Sequence, residues 1–256
     1  MTTLSLFSLN VAQLPYGIGP PRADERLRLL INYLRLQEYD IICLQEVFRP
    51  SARSALADAL YDKYPNQLVD AECGKWAVGV NSGLVILSKH PIVASKLHRF
   101  EYHRNADNFA RKGALFARLR LPGEDLLVCT THLQSGGQRF PLTLFDNTEM
   151  TADQIKVHEA GEISDALALF PGIRIHVVVG DFNVAFGSPE YDMLRAKWPF
   201  LRDTMAPINL YTPSNFERSA RIDHCFASID SFTVSLIKDG FEAITDHSAV
   251  IASVSF

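Results

Sequence analysis

Nine short apolar runs recur along this chain, and that rhythm limits what it can fold into more than any other feature. They occupy residues 4–9, 40–45, 83–88, 114–121, 125–131, 174–180, 223–227, 232–237 and 249–254. Their length and β-branched content predict strands. Those that are apolar on both faces need cover on both. Helical patterns fall between the runs. In 22–37, Leu27, Leu30, Ile31 and Leu34 recur at i, i+3, i+4 and i+7, which gives that segment one apolar face. Segment 51–62 offers Ser51 as an N-cap, 151–170 opens on a Thr151-x-x-Gln154 capping box, and 188–198 opens on Ser188 followed by Pro189. Many strands with a few helices predict an α/β protein of two mixed sheets packed face to face, with helices outside. No repeat, low-complexity stretch or long Pro/Gly/Ser linker divides the sequence, so residues 1–256 are expected to form one domain.

Composition narrows the function. The chain has 256 residues and a net charge of −4, which argues against a protein held on nucleic acid by bulk positive charge. No apolar run approaches the roughly 18–20 residues of a membrane-spanning helix. The opening MTTLSLFSLN carries no Lys or Arg and reads as a strand instead of a secretory signal. The expectation is therefore a cytoplasmic chain, or one from which a targeting segment has been removed, acting as a monomer. Cys43, Cys73, Cys129 and Cys225 form no CxxC pair; buried thiols, not a zinc site, are expected. Segments 11–21, 132–150 and 203–221 are long for loops, and long loops in compact domains are often functional.

Polar residues stand repeatedly at the ends of the apolar runs: Asn10, Glu46, His132, Asp181 with Asn183, and Asp246 with His247. Adjacent strand ends would gather them in one cleft. Glu46 and Asp246 offer hard oxygen ligands, and Asn10 adds a carbonyl, a set suited to Mg²⁺, with Mn²⁺ as a substitute. His132, His247 and Asn183 can donate to phosphate oxygens. Asp181 can orient or deprotonate a water, and Asp223 can hold an imidazole in one tautomer. No GxSxG supports a serine hydrolase. This set of groups fits metal-assisted attack of water on a phosphodiester.

In this order, Asn10, Leu44-Gln45-Glu46-Val47, Thr131-His132-Leu133, Gly180-Asp181-Phe182-Asn183, Arg221-Ile222-Asp223-His224 and Thr245-Asp246-His247 resemble the endonuclease/exonuclease/phosphatase superfamily over essentially the whole chain. Leu14-Pro15-Tyr16, Arg22-Ala23-Asp24-Glu25-Arg26, the segment from Ser82 to Ile92, Lys112-Gly113-Ala114 with Asp107 upstream, and Thr130 to Gln134 resemble its neutral sphingomyelinase branch. The resemblance implies a four-layer α/β/β/α sandwich and a Mg²⁺-dependent phosphodiesterase of phospholipase C type. Sphingomyelin or a lysophospholipid at a membrane surface is the implied substrate. It also implies that Glu46 binds the metal beside Asn10, with Asp246 serving a second metal position. His132, Asn183 and Lys112 would contact the phosphate. Asp181 would orient water, and His247, paired with Asp223, would activate water or stabilise the developing charge. Two departures stand out: His224 replaces an aromatic residue and is expected to pack or to lie at the surface, and Ala249 replaces a proline.

A nuclease of the same superfamily is the alternative, with Arg104, Arg111, Lys112, Arg139, Arg218 and Arg221 as a small basic groove. Phe140, Leu142, Leu144 and Phe145 are candidates for lipid contact. Asp24, Glu25, Arg26 and Arg28 read as the wet face of the first helix, and Lys112 alone reads equally as a surface charge.

Overall fold

The computed structural model describes residues 3–15, 17–70, 81–136, 145–205, 214–215 and 220–255. The strands are β1 (Thr3–Gln13), β2 (Ile41–Val47), β3 (Asn66–Val69), β4 (Val85–Ser88), β5 (Ile92–Arg99) and β6 (Gly113–Arg120), then β7 (Asp125–His132), β8 (Ile175–Asp181), β9 (Arg202–Asp203), β10 (Asp223–Ala227), β11 (Phe232–Ile237) and β12 (Ala249–Ser255). The α-helices are α1 (Ala23–Leu36), α2 (Pro50–Leu60), α3 (Ala152–Leu167) and α4 (Pro189–Ala196). The strands form two six-stranded mixed sheets, ordered β11-β12-β1-β2-β4-β3 and β5-β6-β7-β8-β10-β9.

Alternation of side chains along each strand builds the four layers. Leu4, Leu6, Ile41, Cys43, Val128, Val177, Val179 and Cys225 pack between the sheets. Their neighbours Phe7, Leu9, Ile42 and Leu44 face outward onto Leu27, Leu30 and Leu34 of α1 and Leu56 of α2. On the opposite surface Leu127, Cys129, Val178 and Phe226 pack on Ala160 and Ile163 of α3 and Leu194 of α4. The result is the expected α/β/β/α sandwich.

Three strands were not anticipated: β3, β5 and β9. Each lies at or beside the polar margin of a sheet, and all three are edge strands. An edge strand has one partner and tolerates a mixed sequence, so β5, half-buried or exposed at every position, has no continuous apolar run. The second helix also begins earlier than expected. Pro50 takes its first position, after an extended Arg49 with no side-chain cap, so Ser51 lies inside the helix. Thr151 completes its capping box with Gln154, and Ser188 accepts from the Tyr191 amide. Cys43, Cys129 and Cys225 are buried free thiols; Cys73 lies outside the described residues. No helix among the described residues is long and apolar enough to cross a membrane.

Lys112 is not a surface charge: it is buried, 6% exposed, immediately before β6. The strand starts there on Gly113 because a Cβ at that position would lie 2.2 Å from the His98 carbonyl oxygen of β5. Gly113→Ala is therefore expected to destabilise the protein by about 2–4 kcal/mol in urea unfolding. An unchanged midpoint would show that the two strands can separate freely here.

Candidate active site

Along the inner faces of four strands, polarity rises toward one rim. Leu6 gives way to Ser8 and Asn10 on β1, and Cys43 to Gln45 on β2. On β7 Val128 leads to Thr130 and His132, and on β8 Val179 leads to Asp181. Gln45 Nε2 donates to Ser8 Oγ (3.1 Å) and Thr130 Oγ1 (2.9 Å), closing a polar layer between the sheets. The rim is shared because β1 runs parallel to β2, and β7 parallel to β8. His132 stands in register with Asp181, and Asp181 with Asp223 across the antiparallel β8–β10 pair.

Glu46 should by alternation face the helices. A register shift between β1 and β2 after Asn10 prevents this, and Glu46 itself adopts φ 61°. Such irregularities re-aim side chains. Its Oε1 accepts from Asn10 Nδ2 at 3.0 Å, and the same amide donates to Asp181 Oδ2 at 3.0 Å. Asn10 Oδ1 accepts from the Ala12 backbone N–H (3.1 Å). Gly83, at φ 72°, leaves room beside the bend, since a Cβ there would sit 3.1 Å from Glu46 Cα.

His132 Nε2 lies 3.7 Å from Glu46 Oε1 and 3.6 Å from Asp181 Oδ2. Lys112 Nζ is 3.0 Å from His132 Nε2 and donates to Leu133 O (2.8 Å), with Asp107 Oδ2 at 3.1 Å. Asn183 Nδ2 donates to the same Leu133 oxygen (3.1 Å), while its backbone N–H donates to Asp181 Oδ1 (2.9 Å). On the other side of Asp181, His247 Nε2 lies 3.7 Å from its Oδ2, and His247 Nδ1 is 2.8 Å from Asp223 Oδ2. Ligand atoms of Glu46, His132 and Asp181 lie within 4.8 Å of one another, and so do those of Asp181, Asp223 and His247. Asp181 belongs to both groups. Asp246 belongs to neither; its Oδ2 accepts from Asn215 Nδ2 (3.1 Å) at the rim.

Burial pushes the Glu46 carboxyl up to about 6, against the pull of Asn10, Lys112 and His247. Burial also acts on Asp181, but the charged His247 and Lys112, with the Asn183 backbone N–H, hold that group ionised, below the ordinary carboxylate range. His132 is pushed down to about 3 by burial and then by Lys112, so its imidazole is neutral. Burial opposes charge on His247 too, yet Asp223 and Asp181 lift it to about 10.

Sequence reasoning missed the residues that hold this set. Ser214 Oγ accepts from the backbone N–H groups of Ile222 (2.9 Å) and Asp223 (2.8 Å), and Asn215 Nδ2 lies 2.9 Å from His247 Nε2. The only signal was the length of segment 203–221. Arg26 does not belong to the wet face of α1. It is buried, donating to the carbonyls of Ala12 (2.7 Å), Ile244 (2.7 Å) and Val11 (3.3 Å), and Thr245 Oγ1 donates to Asn10 O (2.7 Å). Together these bonds pin the segment before His247 to the end of β1. Arg26→Met would leave four carbonyls without this donor, Pro21 O (3.3 Å) included, and is expected to cost about 2–4 kcal/mol in urea unfolding; a loss below the error of that measurement would show the carbonyls find other donors.

His224 packs as expected, among Phe182, Tyr191 and Phe226, with Nε2 at 2.8 Å from Val184 O. The proposed basic groove is largely engaged elsewhere. Arg104 pairs with Asp146 (2.9 Å) and Arg221 is buried over the Phe186 ring. Arg111 is exposed, and Arg139 and Arg218 lie outside the described residues. So do Tyr16, Phe140, Leu142 and Leu144, whereas Phe145 is exposed and in edge contact with Phe109.

Residues 7–247, which span all of these side chains, match one known sequence family. The chain belongs to the Endonuclease/Exonuclease/phosphatase family. Within that family it is 31% identical over 209 residues to Sphingomyelinase C 2 of Leptospira interrogans, covering 75% of this chain and 32% of the relative. It is 23% identical over 220 residues to Sphingomyelinase C of Listeria ivanovii, covering 80% of this chain and 58% of the relative. The chain thus spans about a third and somewhat over half of those relatives' lengths. The fold is similar to that of SmcL (TM-score 0.81, 22% identity, 99% of each chain). It is also similar to that of Staphylococcus aureus beta toxin with bound magnesium ions (TM-score 0.79, 20% identity, 99% of this chain and 100% of the other). D. rerio TDP2 complexed with single-strand DNA product shares the fold as well (TM-score 0.73, 17% identity, 100% of each).

Proposed function

We propose that this chain is a Mg²⁺-dependent phosphodiesterase that removes the phosphorylated headgroup of sphingomyelin or a lysophospholipid. The observation that carries the reading is Asp181, an ionised carboxylate common to a metal-competent group on one side and an Asp–His pair on the other. The sphingomyelinase relatives supply the substrate class.

The donor set fits a hard divalent cation. Glu46 and Asp181 offer carboxylate oxygens, and Mg²⁺ needs only one or two of these because it keeps several waters. When bound, the cation would polarise a phosphoryl oxygen and offset its charge. Asn10 fixes the two carboxylates relative to one another. Asp246 would meet a second cation at the rim only by releasing Asn215. Lys112 and Asn183 stand on the opposite side of Asp181 from His247 and would donate to the substrate phosphate, with neutral His132 accepting from Lys112 and holding the ammonium in place. Asp181, kept ionised, would orient the attacking water, whose surplus proton passes to solvent as the new phosphorus–oxygen bond forms. His247, kept protonated by Asp223, would stabilise the phosphorane and give a proton to the departing lipid oxygen as the phosphorus–oxygen bond breaks.

The test is a substrate panel with Mg²⁺, with Mn²⁺ and with EDTA. Phosphocholine should be released from sphingomyelin or lysophosphatidylcholine with either metal and not with EDTA. Nicking of plasmid DNA in place of lipid cleavage would overturn the lipid reading in favour of a nuclease.

A further inference from the structure

We propose that Ser214 is a positioning residue for the hydrolysis, a clamp between the two sheets that sets the separation of Asp223 and His247; this rests on the phosphodiesterase reading above. The pair it serves is split across the fold. Asp223 opens β10 in one sheet, and His247 stands just ahead of β12 in the other. Apolar packing between sheets is non-directional. It does not by itself hold a carboxylate and an imidazole at the 2.8 Å found between Asp223 Oδ2 and His247 Nδ1. A directional tie across the margin is needed.

Ser214 makes that tie from both ends. Its carbonyl oxygen accepts from the Ser248 backbone N–H at 2.7 Å, next to His247. Its Oγ accepts from the backbone N–H groups of Ile222 (2.9 Å) and Asp223 (2.8 Å). Two accepted bonds use both lone pairs of the hydroxyl, so its own proton is left to donate, and the Asp223 carboxyl receives it. The same oxygen is therefore no nucleophile: its lone pairs are taken and the residue is 0% exposed. Ser214 is itself fixed. Its N–H and that of Asn215 both donate to Ala220 O at 3.1 Å, and Asn215 bridges to both Ala220 and His247. Within the long segment 203–221, this dipeptide lies between the start of β10 and the residues around His247. Removing the hydroxyl leaves two buried N–H groups without their acceptor and frees Asp223 to shift. A misplacement of about 1 Å in a catalytic group costs about a hundredfold in rate.

The test is Ser214→Ala in the full chain. With Mg²⁺, on sphingomyelin and on bis-p-nitrophenyl phosphate, kcat should fall about tenfold to a hundredfold while KM stays within about twofold, since Ser214 touches neither substrate. Proton NMR without metal gives a readout that needs no substrate. The His247 Nδ1–H bonded to Asp223 should resonate downfield of the amide protons, identified by its absence from His247→Gln. Ser214→Ala should shift that resonance upfield or lose it to solvent exchange. Ser214→Cys has nearly the same shape and only a weak acceptor. Its intermediate effect on both readouts carries the test if Ser214→Ala does not fold. Wild-type kcat in Ser214→Ala, or in Ser214→Cys where only that variant folds, would overturn the proposal, and so would an unmoved His247 resonance. If no diester is cleaved while the resonance responds as expected, the phosphodiesterase reading fails and the clamp stands.

Discussion

Replacing Glu46 with Gln is expected to lower phosphodiesterase turnover by about a thousandfold or more, with Mg²⁺ affinity falling in parallel in a calorimetric titration. Gln preserves the volume of the side chain and its bond to Asn10 but removes the charge that the cation needs. The same variant has an opposite effect on stability in EDTA. The Glu46 carboxyl titrates at about 6 in the fold against an ordinary 4.5. Between those values the folded chain holds a proton that the unfolded chain has released, so stability falls as pH rises through this window. Above it, ionised Glu46 costs the metal-free protein about 2 kcal/mol. Metal-free Glu46→Gln should therefore unfold at higher urea than the wild type at pH near 7.5, and the gap should close below pH about 4.5. A variant with normal turnover would remove Glu46 from the chemistry; one that is less stable at neutral pH would show that its charge is compensated without metal.

Asp223→Asn should be nearly as damaging, with turnover lowered about a thousandfold to ten-thousandfold, because the Asn amide no longer holds His247 charged and oriented. Its signature in the fold is a change in pH dependence. His247 titrates at about 10 against an ordinary 6.5. A raised histidine contributes stability that is complete below pH about 6.5 and is lost as pH climbs toward about 10. Asp223→Asn, followed by urea unfolding in EDTA over that range, should flatten the decline. A wild-type slope in the variant would mean that Asp181 alone keeps His247 protonated.

Much of this was legible in the chain itself, for a definite reason. Central strands are apolar on both faces, so β1, β2, β7, β8 and β12 announced themselves, and the polar residue that ends each run marked the rim. Strands β3, β5 and β9 gave no such signal because they are very short or half-exposed along their length, whereas the edge strand β11 kept an apolar, β-branched run. Arg26 was misread because charge in a helical segment is ordinarily solvated, and nothing local shows that three carbonyls from distant segments converge on it. Ser214 and Asn215 were hidden for the same reason. Their partners lie across a long loop, and short polar residues in loops are common. The direction of Glu46 was equally out of reach, since a bend at positive φ reverses the face that simple alternation assigns.

The graded inner face has a consequence for how such a chain can change over time. Val177, Val179 and Asp181 occupy one face of β8, and Val178 and Phe182 pack against the helices on the other. Losing one residue upstream of Asp181 would turn the carboxylate toward α3 and α4 and bring Phe182 in among the charges. Folding and chemistry would fail together, so neither can drift along these strands independently. Variation that survives must collect in the connecting segments around the rim.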